Sequence, residues 1–453
     1  MAFRSINPAT GEVFRTFDGH DDTDVENALE RATAAVGTLH RLGFEGRAQR
    51  MRRAAEILES EADDLAALMT QEMGKPVAQA KAEAEKCAWV CRYYADNAAD
   101  FLKDEPKGAQ EKGKSFVRYI PLGPVFAIMP WNFPFWQVFR FAAPNLMAGN
   151  PGLLKHSSNV PGCAKAIENI FLRAGFETGS FRSLLVDSAK AGEIIADARV
   201  KGVTLTGSEG AGRAVGKQAG AALKPHVLEL GGSDAFVVMP SADLDEAVKT
   251  GVFARIQNNG QSCIAAKRFI VHADIYEDFR DRFVEELERK RVGDPMEEDT
   301  DIGPLVDEAA ARGLHEQVRK TIDAGAREVL KGRKGEGAWF SPGVLEDIPE
   351  DSPGYREELF GPVALFFRVS DLDAAINLAN DHKYGLGSSF WSTDEDEITE
   401  AVNRIEAGST YVNQMVASDP RLPFGGVKAS GHGRELAREG ILEFVNRKTV
   451  AVK

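Results

Sequence analysis

The sequence predicts an α/β protein: two domains with parallel sheets, preceded by a helical N-terminal region. Three observations lead there. A chain of 453 residues exceeds what one hydrophobic core sustains, so two or three domains are expected. Helix and strand signals alternate up to Val203-Thr204-Leu205, the pattern of βαβ units and a parallel sheet. The same alternation resumes after Glu229 and calls for a second α/β domain.

The elements follow in order. From Asp24 to about Leu102 the chain is rich in Ala, Glu, Leu and Arg, with apolar residues at helical spacing from Met51 to Met69. Gly74-Lys75-Pro76 separates two helices there. The run from Arg118 to Met129 reads as a strand entering a buried sheet. Residues 135–148 read as a helix ending at Gly149-Asn150-Pro151-Gly152. Leu153-Leu154-Lys155 and Val203-Thr204-Leu205 are short strands. In the second half, Asp234 to Met239 and Arg268 to His272 read as strands, and Leu244 to Phe253 and Tyr276 to Arg291 as helices. The tail Leu442 to Val452 alternates weakly and has no hairpin partner nearby. It is suited to pair either with another subunit's sheet or with a strand of its own chain.

Composition narrows the function. The balance of 55 basic against 69 acidic side chains, net −14, disfavours nucleic acid and anionic membrane as partners. Four cysteines in this length do not make a disulfide framework. Cys87 and Cys91 have no His or Cys cluster beside them, so no metal site is expected. Met1 to Ser5 lacks a signal-peptide pattern and no apolar run is long enough for a bilayer. A reducing cytoplasm is the expected location.

The chemistry starts at Asn258-Asn259-Gly260-Gln261-Ser262-Cys263, a polar, glycine-containing stretch that ends in a thiol. Glu229, closing the apolar run His226-Val227-Leu228, is either a buried structural acid or a general base with a raised pKa. Leu230-Gly231-Gly232 after it lets backbone or a ligand approach closely. Asn132, in Pro130-Trp131-Asn132-Phe133-Pro134, offers an amide donor between two prolines. Thr206-Gly207-Ser208-Glu209-Gly210-Ala211-Gly212 joins a strand to a helix, a turn that suits phosphate but matches no dinucleotide or nucleotide-loop spacing. Taken singly, each residue also has a plain structural role available: a core thiol, a paired acid, a solvated strand-end lysine.

Together the motifs resemble the aldehyde dehydrogenase superfamily over essentially the whole length. The matching stretches are Pro130–Pro134, Thr206–Gly212, Glu229–Gly232, Gly260–Cys263, Glu358–Pro362 and Pro423–Gly431, in family order and with 34 residues between Glu229 and Cys263. The resemblance implies a Rossmann-like cofactor domain (residues 1–110 and 122–228), a catalytic α/β domain (229–425) and a small β oligomerisation element (111–121 and 426–453). It implies that Cys263 attacks the aldehyde, that Asn132 and the Cys263 N–H hold the oxyanion, and that Glu229 activates water to hydrolyse the thioester. It implies a cofactor site of Trp131, Lys155, Ser158, Gly207, Ser208, Gly212, Leu230, Gly231, Glu358 and Phe360. In this scheme Ser208 meets the pyrophosphate with Trp131 beside it, Lys155 the adenosine ribose, Glu358 the nicotinamide ribose, and Phe360 the ring. A homodimer or homotetramer is expected.

Two positions bear on specificity. Members that prefer NAD often carry a glutamate where this chain has Ser158. A serine can donate to a 2′-phosphate that an acid would repel, so NADP is expected to be accepted alongside NAD, and which of the two is preferred stays open. Arg140, nine residues past Trp131, stands where succinate-semialdehyde dehydrogenases bind the substrate carboxylate, though a structural salt bridge explains it equally well. The second carboxylate-binding arginine of the animal enzymes is Gln257 here, so another donor is required, with Ser418 and Arg421 the candidates. The expected activity is NAD(P)-dependent oxidation of succinate semialdehyde. The alternatives are a broader aldehyde dehydrogenase for glutarate semialdehyde or aliphatic aldehydes, and a non-catalytic binding protein that keeps the fold.

Overall fold

The computed structural model describes residues 2–110 and 113–453. It opens with the antiparallel pair Ala2–Ile6 and Val13–Asp18, followed by the helices Asp22–Ser60, Ala62–Met73 and Val77–Phe101. The first helix starts where the Asp21 side chain accepts from Asp24 N–H at 2.9 Å, which occupies one of the free donors of its first turn. Gly74, at φ 83°, ends the second, and Lys75-Pro76 leads into the third.

A six-stranded sheet has the order Gly431–His432, His226–Glu229, Gly202–Thr206, Val125–Met129, Gly152–His156, Phe181–Ser183. All neighbours are parallel except the first pair. Chain order reverses between Val125–Met129 and Gly202–Thr206. The carboxyl ends at such a switch point form the crevice where doubly wound sheets take ligands. Trp131 and Asn132 follow one of these two strands, and Gly207 and Ser208 the other.

A seven-stranded sheet has the order Arg327–Leu330, Gly343–Glu346, Val363–Val369, Ala266–His272, Asp234–Val238, Gly387–Trp391, Ser409–Val412, with only the first pair antiparallel. Its central strands are buried apolar runs covered by helices, as expected of a parallel sheet. Phe236, Phe269, Phe279, Phe283 and Phe366 pack ring against ring in this core.

The run Arg118 to Met129 is two strands, not one. Gly113–Pro121 lies in a three-stranded sheet and Val125–Met129 in the six-stranded sheet. The break is physical: Gly123 has φ 123° and its N–H donates to Asn150 Oδ1 at 2.9 Å, and Pro124 cannot donate. The C-terminal strand Val445–Val452 pairs along its length with Gly113–Pro121 of the same chain. Glu105–Gln110, grouped above with the cofactor-binding segment, pairs on the other side of Gly113–Pro121. Residues 111 and 112, also assigned to that β element, lie outside the described residues. No described helix is long and apolar enough to cross a membrane.

Candidate active site

The segment before Cys263 explains its own composition. Asn258, Asn259 and Gly260 have φ of 58°, 59° and 73°, three left-handed residues in succession. Asparagine is among the few non-glycine residues that tolerate this region. A Cβ at Gly260 would lie 2.4 Å from the Gly361 carbonyl carbon, so only glycine fits there. The amides then fasten the loop. Asn259 Nδ2 donates to the carbonyls of Gly74 and Pro304 at 2.8 Å, and Val306 N–H donates to Gln261 Oε1 at 2.9 Å. Asn132 Nδ2 donates to the Gln261 carbonyl at 3.0 Å, which brings the Pro130–Pro134 loop against the Cys263 segment. Its second amide N–H remains available.

Cys263 is half-buried and lines a cavity of about 140 Å³. Burial pushes its thiol up to about 12, against the opposing fields of Arg140 and Lys267. The other three cysteines are free and buried, and burial raises each of them too.

Arg140 and Gln257 line the same cavity. Arg140 sits on the helix Trp136–Ala148, whose residues are all buried. It is ion-paired with Glu435 and stacks 4.4 Å from the centre of the Phe424 ring. Arg140 thus holds the structural ion pair and also lines the cavity. Of the two candidates for a further donor, Ser418 is buried in the cavity wall, whereas Arg421 is held by Asp419 at 2.6 Å and does not line it.

Glu229 ends its strand buried, and among the described residues no group donates a hydrogen bond to either oxygen. Burial raises its pKa well above the ordinary carboxylate value, and the Glu435 carboxylate adds to the rise, against Arg140 and Arg434. It is not among the residues lining the Cys263 cavity; Arg140 acts electrostatically on both groups.

The cofactor candidates fall into groups. Ser208 caps the helix Glu209–Ala221 by accepting from Ala211 N–H at 3.3 Å, while a Cβ at Gly210 would meet open space, so the first turn is open to a ligand. Gly212 is packed so closely on Leu230 that a Cβ would come within 2.6 Å of its methyl groups. A Cβ at Gly231 would lie 2.5 Å from Glu358 Oε2, which places that carboxylate over the glycine pair. The Trp131 and Phe360 rings meet edge-on at 5.8 Å. Lys155, at the end of its strand, has a pKa lowered by burial. Ser158 is exposed and lines a separate, wider cleft.

Three residues were not legible as site residues in the sequence. Lys267 is fully buried, donates to the Ser262 and Cys263 carbonyls at 2.8 Å and pairs with Glu358 at 3.1 Å. A lysine within an apolar strand run was the available signal. Glu435, beside Arg140 and Glu229, and Lys86, in the cavity wall, carried none.

The Aldehyde dehydrogenase family profile matches residues 1–450. The chain belongs to the aldehyde dehydrogenase family. This aldehyde dehydrogenase is 52% identical over 452 residues to a Synechocystis protein named "Probable succinate-semialdehyde dehydrogenase, NADP(+)", with 99% of each chain covered. It is 52% identical over 454 residues to "Succinate-semialdehyde dehydrogenase, NADP(+), 1" of Mycobacterium tuberculosis, again covering 99% of each. The succinic semialdehyde dehydrogenase of Streptococcus pyogenes, solved in complex with NADP+, superposes with a TM-score of 0.96 at 37% identity over 99% of both chains.

Proposed function

We propose that this aldehyde dehydrogenase oxidises succinate semialdehyde to succinate with NADP. The observation that carries the reading is the Cys263 cavity. A half-buried thiol shares about 140 Å³ with two cations, Arg140 and Lys86, and the cavity's single carboxylate, Glu83, is occupied elsewhere. A small aldehyde with a carboxylate at its far end suits such a space. The names of the Synechocystis, Mycobacterium and Streptococcus relatives support the same substrate and cofactor.

In this reading the Cys263 thiol gives its proton to water, its sulfur adds to the aldehyde carbon as the C=O π bond opens, and the Asn132 amide N–H stabilises the oxygen that becomes negative. NADP, when bound, would supply the hydride acceptor needed to oxidise the thiohemiacetal to the thioester. Glu229 then takes a proton from the water that attacks the thioester. The residues suit the cofactor: the open helix terminus at Ser208 and Gly210 would take pyrophosphate with Trp131 nearby, Lys155 would hold the adenosine ribose, Glu358 the nicotinamide ribose, and Phe360 would pack near the ring. Ser158 carries no charge to oppose a 2′-phosphate. The six-stranded unit is assigned to the cofactor and the seven-stranded unit to catalysis. The three-stranded sheet, whose outer strands Glu105–Gln110 and Val445–Val452 each have one edge without a strand partner among the described residues, is assigned to assembly into a dimer or tetramer. The cytoplasm is the assigned compartment, with all four thiols free.

The test is the initial rate of cofactor reduction with succinate semialdehyde, hexanal and propanal, each with NAD and NADP. A specificity constant favouring the semialdehyde with NADP supports the reading. Equal or better rates with the neutral aldehydes overturn the substrate assignment, and a preference for NAD overturns the cofactor assignment.

A further inference from the structure

The two cations of the Cys263 cavity are not equivalent. The charge of Arg140 is already answered inside the protein by Glu435, and its Nη2 lies 3.5 Å from Thr206 Oγ1. Lys86 projects from the helix Val77–Phe101, half-buried. Its Nζ lies 4.3 Å from the centre of the Trp136 ring and donates to Ser418 Oγ at 3.0 Å. The nearby acids are engaged with other groups. Glu83, three residues earlier, pairs with Lys75 and accepts from the N–H groups of Phe135 and Trp136 at 2.9 and 2.8 Å. Asp419 is gripped by Arg421 through two hydrogen bonds of 2.9 and 2.6 Å. Among the described residues, Lys86 makes no ion pair.

Ser418 completes the arrangement. Its oxygen accepts from Lys86 at 3.0 Å and from Trp136 Nε1 at 2.8 Å, which uses both lone pairs and leaves its O–H to donate. Lys86 keeps N–H groups beyond the one given to Ser418. This end of the cavity therefore offers several donors and a positive charge that lacks a counter-ion. Desolvated charge without a partner is unfavourable, and an anionic ligand oxygen removes the penalty. Gln257 in the same wall carries no charge.

We propose that Lys86, with the Ser418 hydroxyl, anchors the terminal carboxylate of the substrate, and that Lys86 rather than Arg140 sets the preference for carboxylate-bearing aldehydes. The inference rests on the reading of Cys263 as the nucleophile of an aldehyde oxidation. Arg140 then serves as a fixed positive wall held by Glu435.

The charge on Lys86 depends on pH within a useful range. Burial, and then Arg140 on the facing helix, bring Lys86 down to about 8. Cys87 and Glu83 on its own helix and Asp419 on the adjoining loop pull the other way. The ammonium is present below about 8 and lost above it, so carboxylate recognition weakens as pH rises.

The experiment measures kcat/KM for succinate semialdehyde and for hexanal with NADP, in wild type, Lys86→Met and Lys86→Arg, from about pH 6 to about pH 10. The readout is the ratio of the two constants, in which ionisations common to both substrates cancel. A charge-assisted contact leads one to expect the ratio to fall by about thirtyfold in Lys86→Met and to recover partly in Lys86→Arg. In wild type the ratio should decline as pH passes about 8 and stay flat in Lys86→Met. Circular dichroism and thermal unfolding of the same preparations report that each variant is folded. An unchanged ratio in Lys86→Met overturns the assignment, while a wild-type preference for the semialdehyde leaves the proposed function standing. If wild type has no such preference, the proposed substrate is wrong, and succinate inhibition of hexanal oxidation decides the anchor directly. Competitive inhibition lost in Lys86→Met supports the anion site; inhibition retained there overturns it.

Discussion

The Lys267 ammonium lies 3.1 Å from Glu358 Oε1 while donating hydrogen bonds of 2.8 Å to the carbonyls of Ser262 and Cys263. One fully buried charge thus ties the segment that carries the thiol to the carboxylate proposed for the cofactor ribose. The two parts of the site sit on different strand connections, one before Ala266–His272 and the other before Val363–Val369, which pair side by side. Lys267 keeps their spacing fixed.

Removing that ammonium should damage cofactor binding and the nucleophile together. Lys267→Met leaves a buried carboxylate and two carbonyls without their donor, and breaking a buried pair costs about 3–5 kcal/mol. The expected outcome is a KM for NADP raised about tenfold or more, a lower kcat and a lower Tm. Lys267→Arg should recover part of each. Steady-state kinetics with thermal unfolding check this, and a normal KM for NADP in a folded Lys267→Met protein would refute the link.

Cys263 should alkylate slowly at neutral pH despite its position in the cavity. Burial holds its pKa near about 12, so in the absence of cofactor only about one thiol in ten thousand is ionised at about pH 8. Carboxymethylation measured by peptide mass spectrometry should rise about tenfold per pH unit from about pH 7 to about pH 10. Cys87, Cys91 and Cys163, all buried, should stay unlabelled in the folded protein. A rate that levels off near about pH 8 would mean that the thiol is activated before cofactor binds.

The parts of the sequence that could be read correctly were those with local causes. The strand signals at Val203-Thr204-Leu205 and Asp234 to Met239 reflect burial within parallel sheets, and the structure has strands there, Gly202–Thr206 and Asp234–Val238. The Asn258-Asn259-Gly260 run was noticed for its polarity; its reason, three left-handed residues wedged against Gly361, is geometric. What escaped depends on contacts between distant residues. Nothing near Lys86 says that Ser418, 332 positions away, will be its hydrogen-bond partner. The partner of Val445–Val452 lies more than 300 residues upstream, so a search for a nearby hairpin could not find it. The sequence leaves Arg140 open between substrate anchor and salt bridge because Glu435, its ion-pair partner, is also far away in the chain.

Ser158 is the position for a charge test of cofactor choice. It is exposed, and among the described residues its hydroxyl bonds only to Asn159, at 3.5 Å, so substitution should leave the fold intact. Ser158→Glu would place a carboxylate where the 2′-phosphate of NADP is proposed to lie. The expected result is a fall of about a hundredfold or more in kcat/KM for NADP, with NAD unaffected or improved. Equal losses with both cofactors would show that Ser158 does not face the 2′ position.

Glu229 offers a prediction that joins stability to catalysis. Its folded pKa is raised by burial and by Glu435, whereas in the unfolded chain it titrates at about 4.3. A group with a raised folded pKa contributes fully below the unfolded value, and that contribution is lost as pH rises through the folded one. Glu229→Gln keeps the shape and cannot ionise. It should therefore match wild type in Tm at about pH 4 and exceed it at about pH 8. The same variant should release reduced cofactor in a burst followed by slow turnover, because the thioester persists without its base. A rise in Tm with unchanged steady-state turnover would confine Glu229 to a buried structural acid. The burst together with the rise would mean that the strain of keeping a carboxylate buried here is retained for the hydrolytic step.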